Sequence, residues 1–98
     1  MSRPPRLDDS SITAKLHSLP GWTRAGETIV RTFTFAGFPD AVGFVQRLVE
    51  PAESLNHHPD VDIRYNRVVV ALSTHDQGGL TDLDFSLAAL VDGAVGAR

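Results

Sequence analysis

The run Val68-Val69-Val70-Ala71-Leu72 constrains this chain more than any other stretch, because it is apolar throughout and has no polar face to turn to water. A strand of this kind sits at the centre of a sheet and is covered on both faces. The stretch before it alternates instead: Val61, Ile63 and Tyr65 are interleaved with Asp62, Arg64 and Asn66, as in a strand with one apolar face. Asn66-Arg67 supplies a short turn between the two, so the pair reads as an antiparallel hairpin. Helices can cover one face of the central strand. A second subunit or a bound ring is expected over the other.

The rest of the chain is built around a second strand pair and three helices. Trp22 opens a short strand and Ala25-Gly26-Glu27 turns the chain. A longer strand then runs from Thr28 to Phe35, with Ile29, Phe33 and Phe35 on one face and Thr28, Thr32 and Thr34 on the other. Arg31 interrupts the apolar series and Val30 the polar one. The first helix is capped by Asp9, Ser10 or Ser11 and ends near His17 or Leu19, ahead of Pro20-Gly21. It turns Ile12, Leu16 and Leu19 inward and leaves His17 exposed. The second helix follows Phe38, Ala41, Val42, Val45, Leu48, Val49, Ala52 and Leu55 at three-four spacing, with Pro39 and Asp40 suited to its first turn. Pro51 either bends this helix or ends it near Glu50 and starts a new turn. The third helix opens on Thr81, with Asp84 at capping-box spacing, and runs from about Asp82 to Val95. Its inward residues are Leu83, Leu87, Leu90, Val91 and Ala94. Residues 1–8, with Pro4-Pro5, read as a flexible arm and 9–98 as one domain. This order predicts an α+β fold: a single-domain two-layer sandwich, a four-stranded antiparallel sheet with helices packed on one face.

Composition narrows the functional classes. A net charge of −3 and no basic run with interleaved aromatics argue against nucleic-acid binding. With no cysteine there are no disulfides, thiolate nucleophiles or thiolate metal sites. The basic start Met1-Ser2-Arg3-Pro4-Pro5-Arg6 lacks the apolar core of a signal peptide, and no run is long enough to span a membrane. A soluble cytoplasmic protein is the expectation.

The chemistry gathers between Glu53 and Asp84, which hold three of the four histidines. His57-His58-Pro59 is stiff and extended, so its two rings point to opposite sides. The hairpin brings residues near 57–60 beside those near 74–76, and so His75 beside this pair. Imidazoles with carboxylates at Glu53 and Asp84 suit proton transfer near neutral pH. A three-histidine metal site is the competing reading, but adjacent rings on opposite sides chelate one ion poorly. Gly78-Gly79 is a turn, too little to cradle a phosphate.

Glutamate, three residues, His-His-Pro, five residues, tyrosine, nine residues, histidine and an aspartate nine further on resemble the pterin-4a-carbinolamine dehydratases (4a-hydroxytetrahydrobiopterin dehydratases). Pro20-Gly21-Trp22 and Arg31-Thr32-Phe33-Thr34-Phe35 extend the likeness upstream. Val61, where many relatives carry tryptophan, and Pro51 depart from it. The resemblance implies a dehydratase of tetrahydropterin recycling that uses no metal or organic cofactor, acts beside an aromatic amino-acid hydroxylase, and forms a homodimer or homotetramer. It implies His57 and His75 as the acid/base pair, with His58 contacting substrate and assisting catalysis of one stereoisomer. Asn56, Ser73, Thr74, Asp76 and the strand end would hold the pterin. Trp22 would close the pocket, and Glu53 and Asp84 would orient the rings. Some relatives act instead as dimerisation partners or assembly factors.

Overall fold

The computed structural model describes residues 4–96. Its elements are α1 (Asp9–Leu16), β1 (Thr23–Ala25), β2 (Thr28–Thr34), α2 (Phe38–Arg47), α3 (Val49–Leu55), β3 (Asp60–Arg64), β4 (Arg67–Leu72), a 3-10 turn (His75–Gln77) and α4 (Asp82–Gly93). The strands form one antiparallel sheet in the order β1-β2-β4-β3. Among the described residues no helix is long and apolar enough to cross a membrane.

The register builds the inner face of the sheet row by row. Ile29 lies opposite Leu72, and Phe33 opposite Val68 and, beyond it, Ile63. Arg31, which breaks the apolar series, lies opposite Val70, yet its charge is not stranded. The guanidinium lies 4.7 Å from the Phe33 ring centre and donates to Asp92 at 2.9 Å. The core is aromatic at its centre: Phe44 lies 4.8 Å from Phe33 and 5.1 Å from Phe35, centroid to centroid. On the outer face Val69 and Ala71 are only half-buried.

Both long helices are rotated relative to the sequence reading. In α2–α3 the buried stripe is Ala41, Phe44, Leu48 and Ala52, while Phe38 and Val49 are exposed. Phe44, absent from the expected stripe, is fully buried. Burying such a ring contributes roughly 1.5–3 kcal/mol, enough to set the helix phase. In α4 the inward residues are Asp84, Phe85, Leu87, Ala88 and Val91, and Leu90 is exposed. The carboxylate of Asp84 takes the core-facing position at the head of that helix and turns Leu83 and Leu90 to its flanks.

Three boundaries also differ from expectation. The long second helix breaks at Leu48, ahead of Pro51, which falls in the first turn of α3. The missing N–H of Pro51 would have met the carbonyl of Arg47, so the break frees a carbonyl with no donor to lose. The β3–β4 turn is Tyr65-Asn66, since Arg64 pairs with Arg67. Tyr65 is outside the strand, 69% exposed and at φ 53°. Asn66 is drawn into the turn because its amide donates to the Phe35 carbonyl at 2.9 Å and its own carbonyl accepts from the Phe35 N–H at 2.9 Å. The cap of α1 is Asp8, whose carboxylate accepts from the Ser11 N–H at 2.9 Å. That bond and the Ser11 and Ser10 hydroxyls hold its carboxyl below the usual aspartate range. Of the arm expected at 1–8, residues 1–3 lie outside the described residues. Its end is attached: Arg6 pairs with Glu27 at 2.7 Å and the Leu7 N–H donates to the Leu80 carbonyl at 2.8 Å.

Candidate active site

The way α3 ends decides where the histidines go. Asn56 adopts left-handed backbone, φ 47° and ψ 46°. Its N–H bonds to the Glu53 carbonyl at 3.1 Å, and the His57 N–H to that of Ala52 at 3.0 Å. These are the two bonds of a Schellman stop, and asparagine reaches this backbone region more readily than any branched residue. The chain then passes through His57-His58-Pro59 into β3, and of the two adjacent rings one is buried and the other exposed.

His57 turns inward. It is 5% exposed, and its Nε2 lies 2.6 Å from Oδ1 of Asp84. Asp84 is wholly buried, and its Oδ2 accepts from the Thr81 N–H at 2.9 Å and the Thr74 hydroxyl at 2.8 Å. The Thr81 hydroxyl in turn accepts from the Leu83 N–H at 3.2 Å, completing a capping box. A carboxylate is tolerated in a core only when its lone pairs are occupied, and here three donors occupy them. One carboxylate therefore caps α4 and anchors an imidazole.

His58 turns outward, its Nε2 2.5 Å from Oε2 of Glu53 on α3. Both side chains are more than half exposed, so the pair adds at most about 1 kcal/mol to stability. It orients the ring without burying it. His75 heads the 3-10 turn that follows β4, with its side chain 82% exposed and its Nε2 4.0 Å from Asp60. The sequence reading did not single out Asp60. The signal for it is the hairpin register, which pairs residue 60 with Ala71 and so brings it near 75.

Three imidazoles thus stand at one end of one hairpin: His57 buried on a carboxylate, His58 exposed on another, and His75 exposed near a third. His57 and His75 are linked through the chain itself, because Thr74 donates to the carboxylate that holds His57. His17 is exposed at the end of α1, apart from this group. Among the described residues no three His, Asp or Glu side chains converge as a metal ligand set.

The side chains expected to hold a flat ring divide in two. Asn56, His58, His75 and Asp76 are exposed. The polar atoms of the others are taken up within the chain. Ser73 donates to the Glu27 carbonyl at 2.7 Å, and the Thr74 hydroxyl is buried against Asp84. Trp22 is a core residue whose indole N–H donates to Asp92 at 2.9 Å and whose ring meets Phe33 edge-on. Asp92 lies two turns along α4 from Asp84, about 12 Å at 1.5 Å per residue, so Trp22 packs toward the other end of that helix. A cleft of about 230 Å³ opens between β3 and the α2–α3 corner. Val45, Leu48, Val49, Ala52, Pro59 and Val61 wall it, together with Glu53 and His58; His57 and His75 do not line it.

Comparison with known proteins places these features in context. The family model described as pterin 4 alpha carbinolamine dehydratase matches residues 5–94. A protein of Chloroflexus aurantiacus, provisionally named a pterin-4-alpha-carbinolamine dehydratase, is 51% identical over 92 residues, covering 94% of this chain and 99% of the relative. The crystal structure of a transcriptional coactivator/pterin dehydratase from Brucella melitensis superposes with a TM-score of 0.88 at 39% identity, covering 93% of this chain and 99% of that one. A pterin dehydratase-like protein identified as a RuBisCO assembly factor in the alpha-carboxysome shares the fold, with a TM-score of 0.65 at 21% identity over 80% of this chain and 93% of that one.

Proposed function

Since the chain belongs to the pterin 4 alpha carbinolamine dehydratase family, we propose that it dehydrates 4a-hydroxytetrahydrobiopterin to quinonoid dihydropterin and water, in tetrahydrobiopterin recycling, by histidine general acid/base catalysis. The observation that carries this reading is the contrast between two imidazoles at one hairpin end, His57 anchored on a buried carboxylate and His75 left open to solvent. The reaction needs both an acid and a base. The acid protonates the C4a hydroxyl as the C–O bond breaks, and water leaves. The base takes the proton from ring N5, whose electron pair closes the C=N bond. Two imidazoles in opposite protonation states supply both roles near neutral pH. In this reading His57 and His75 form the pair, and His58, oriented by Glu53, contacts substrate. Asn56 and Asp76 meet the edge of the pterin with the backbone of the 73–76 segment. No metal or organic cofactor takes part.

The test is the rate of carbinolamine dehydration by pure, chelator-treated protein. Acceleration over buffer is expected, unchanged by the chelator. No acceleration would reject the reading in favour of a non-catalytic module for binding or assembly on the same fold. Loss of rate on chelation would point to a metal.

Association into a homodimer or homotetramer is part of the same proposal, as is action in the cytoplasm beside an aromatic amino-acid hydroxylase. Association is supported by the half-buried Val69 and Ala71 on the face of the sheet opposite its buried side. Sedimentation is expected to show a species heavier than the 10.6 kDa chain, and a monomer alone would refute it.

A further inference from the structure

With Asp84 as a carboxylate, which can only accept, the hydrogen bonds around it have one consistent set of directions. Asp84 Oδ2 accepts from the Thr74 hydroxyl at 2.8 Å, which commits the single hydroxyl proton of Thr74. The Thr81 hydroxyl lies 2.8 Å from the Thr74 oxygen, so in that contact Thr81 must be the donor. The lone pairs of Thr81 are fed in turn by the Leu83 N–H at 3.2 Å. A one-way chain therefore runs from Leu83 through Thr81 and Thr74 into the carboxylate, each bond polarising the next. With the Thr81 N–H also donating to Oδ2, every group facing Asp84 on that side is a donor. Oδ1 of a carboxylate can only accept, so His57 Nε2, 2.6 Å from it, carries the proton. Nδ1 has no partner among the described residues. Because no buried side-chain nitrogen or oxygen among the described residues lacks one, Nδ1 is the nitrogen of this ring that reaches solvent.

We infer that Thr74 is a positioning residue: its hydroxyl bond helps keep Asp84 a carboxylate, which accepts from Nε2 and so fixes the tautomer of His57, leaving Nδ1 as the nitrogen that exchanges a proton with substrate. The exchange with substrate rests on the dehydratase reading; the tautomer does not. When Nδ1 takes a proton the ring becomes an imidazolium with Nε2–H still on Asp84, and when it gives the proton back the same neutral tautomer returns. Thr74 thus acts from the protein interior. Its side chain does not touch the pterin.

The experiment reads the ring nitrogens of His57 by 15N-resolved NMR and the dehydration rate in the same samples. In the native protein the neutral ring is expected to carry its proton on Nε2 and none on Nδ1. Thr74→Val, which removes the hydroxyl while keeping the branched shape, is expected to mix the two tautomers and lower the rate about ten- to hundredfold, the worth of one hydrogen bond to a charged group. Thr74→Ser, which restores the hydroxyl, is expected to recover both readouts. A native ring protonated on Nδ1 overturns the inference, as does a folded Thr74→Val protein with native tautomer and native rate. If Thr74→Val does not fold, the native spectrum decides alone. A native protein with the expected tautomer but no dehydratase activity overturns the functional reading and leaves the tautomer assignment in place.

Discussion

Replacing His75 by alanine is expected to slow carbinolamine dehydration by about 10²–10⁴-fold, the usual worth of a general acid or base, while the melting temperature stays within error of the native value. The two halves of that expectation have separate causes. The rate falls because the imidazole is one of the proposed proton-transfer pair. The fold persists because the side chain is 82% exposed and Asp60, 4.0 Å away, is exposed as well. Substitutions at such positions usually change stability by no more than about 0.5 kcal/mol. The backbone bonds of the turn, Gln77 N–H to the Thr74 carbonyl and Gly78 N–H to that of His75, do not need the ring. His57→Ala is a poorer probe. Burial against Asp84 means that alanine there leaves a core carboxylate short of a donor. A His75→Ala rate within twofold of native would remove His75 from the acid/base pair. His17→Ala, which alters an exposed ring on another element, is the control for nonspecific effects.

The difference between His57 and His75 also shows which parts of this molecule a sequence can disclose. Alternation along Thr28–Thr34 and the apolar run at 68–72 require only a period of two, which the sheet obeys even through Arg31. The capping box at Thr81 and Asp84 is local and is present as written. Helix phase is different, because it depends on which side chain wins the core. Phe44 outweighs Val42 and Val45, and Asp84 occupies an inward position that hydropathy assigns to leucine. The Tyr65-Asn66 turn was hidden for a related reason: its determinant is a pair of bonds to Phe35, remote in sequence. The same holds for Ser73 and Trp22, whose polar atoms are claimed by Glu27 and Asp92. Spacing could name the histidines. It could not say which would be buried.

Asp84→Ala is expected to cost about 3–5 kcal/mol of stability, a large share of the roughly 5–15 kcal/mol available to a domain of this size. Its carboxylate is wholly buried and serves three donors at once, the Thr81 N–H, the Thr74 hydroxyl and the His57 ring. Alanine leaves all three facing a core without water, at about 1–3 kcal/mol for each that finds no new partner, and removes half of the capping box of α4. Asp84→Asn separates this structural burden from the chemistry. Its amide oxygen can still accept from Thr74 and Thr81, while its NH₂ faces Nε2 of His57 and satisfies it only if the proton moves to Nδ1. The asparagine protein is therefore expected to fold with a loss of about 1–2 kcal/mol, yet to lose rate about 10²–10⁴-fold because the solvent-facing nitrogen is already protonated when the ring is neutral. Urea denaturation and dehydration assays on the two variants check the argument together. An alanine variant as stable as the native protein would mean that Asp84 does not bind this end of the fold, and an asparagine variant of native rate would mean that His57 does not depend on it for its proton.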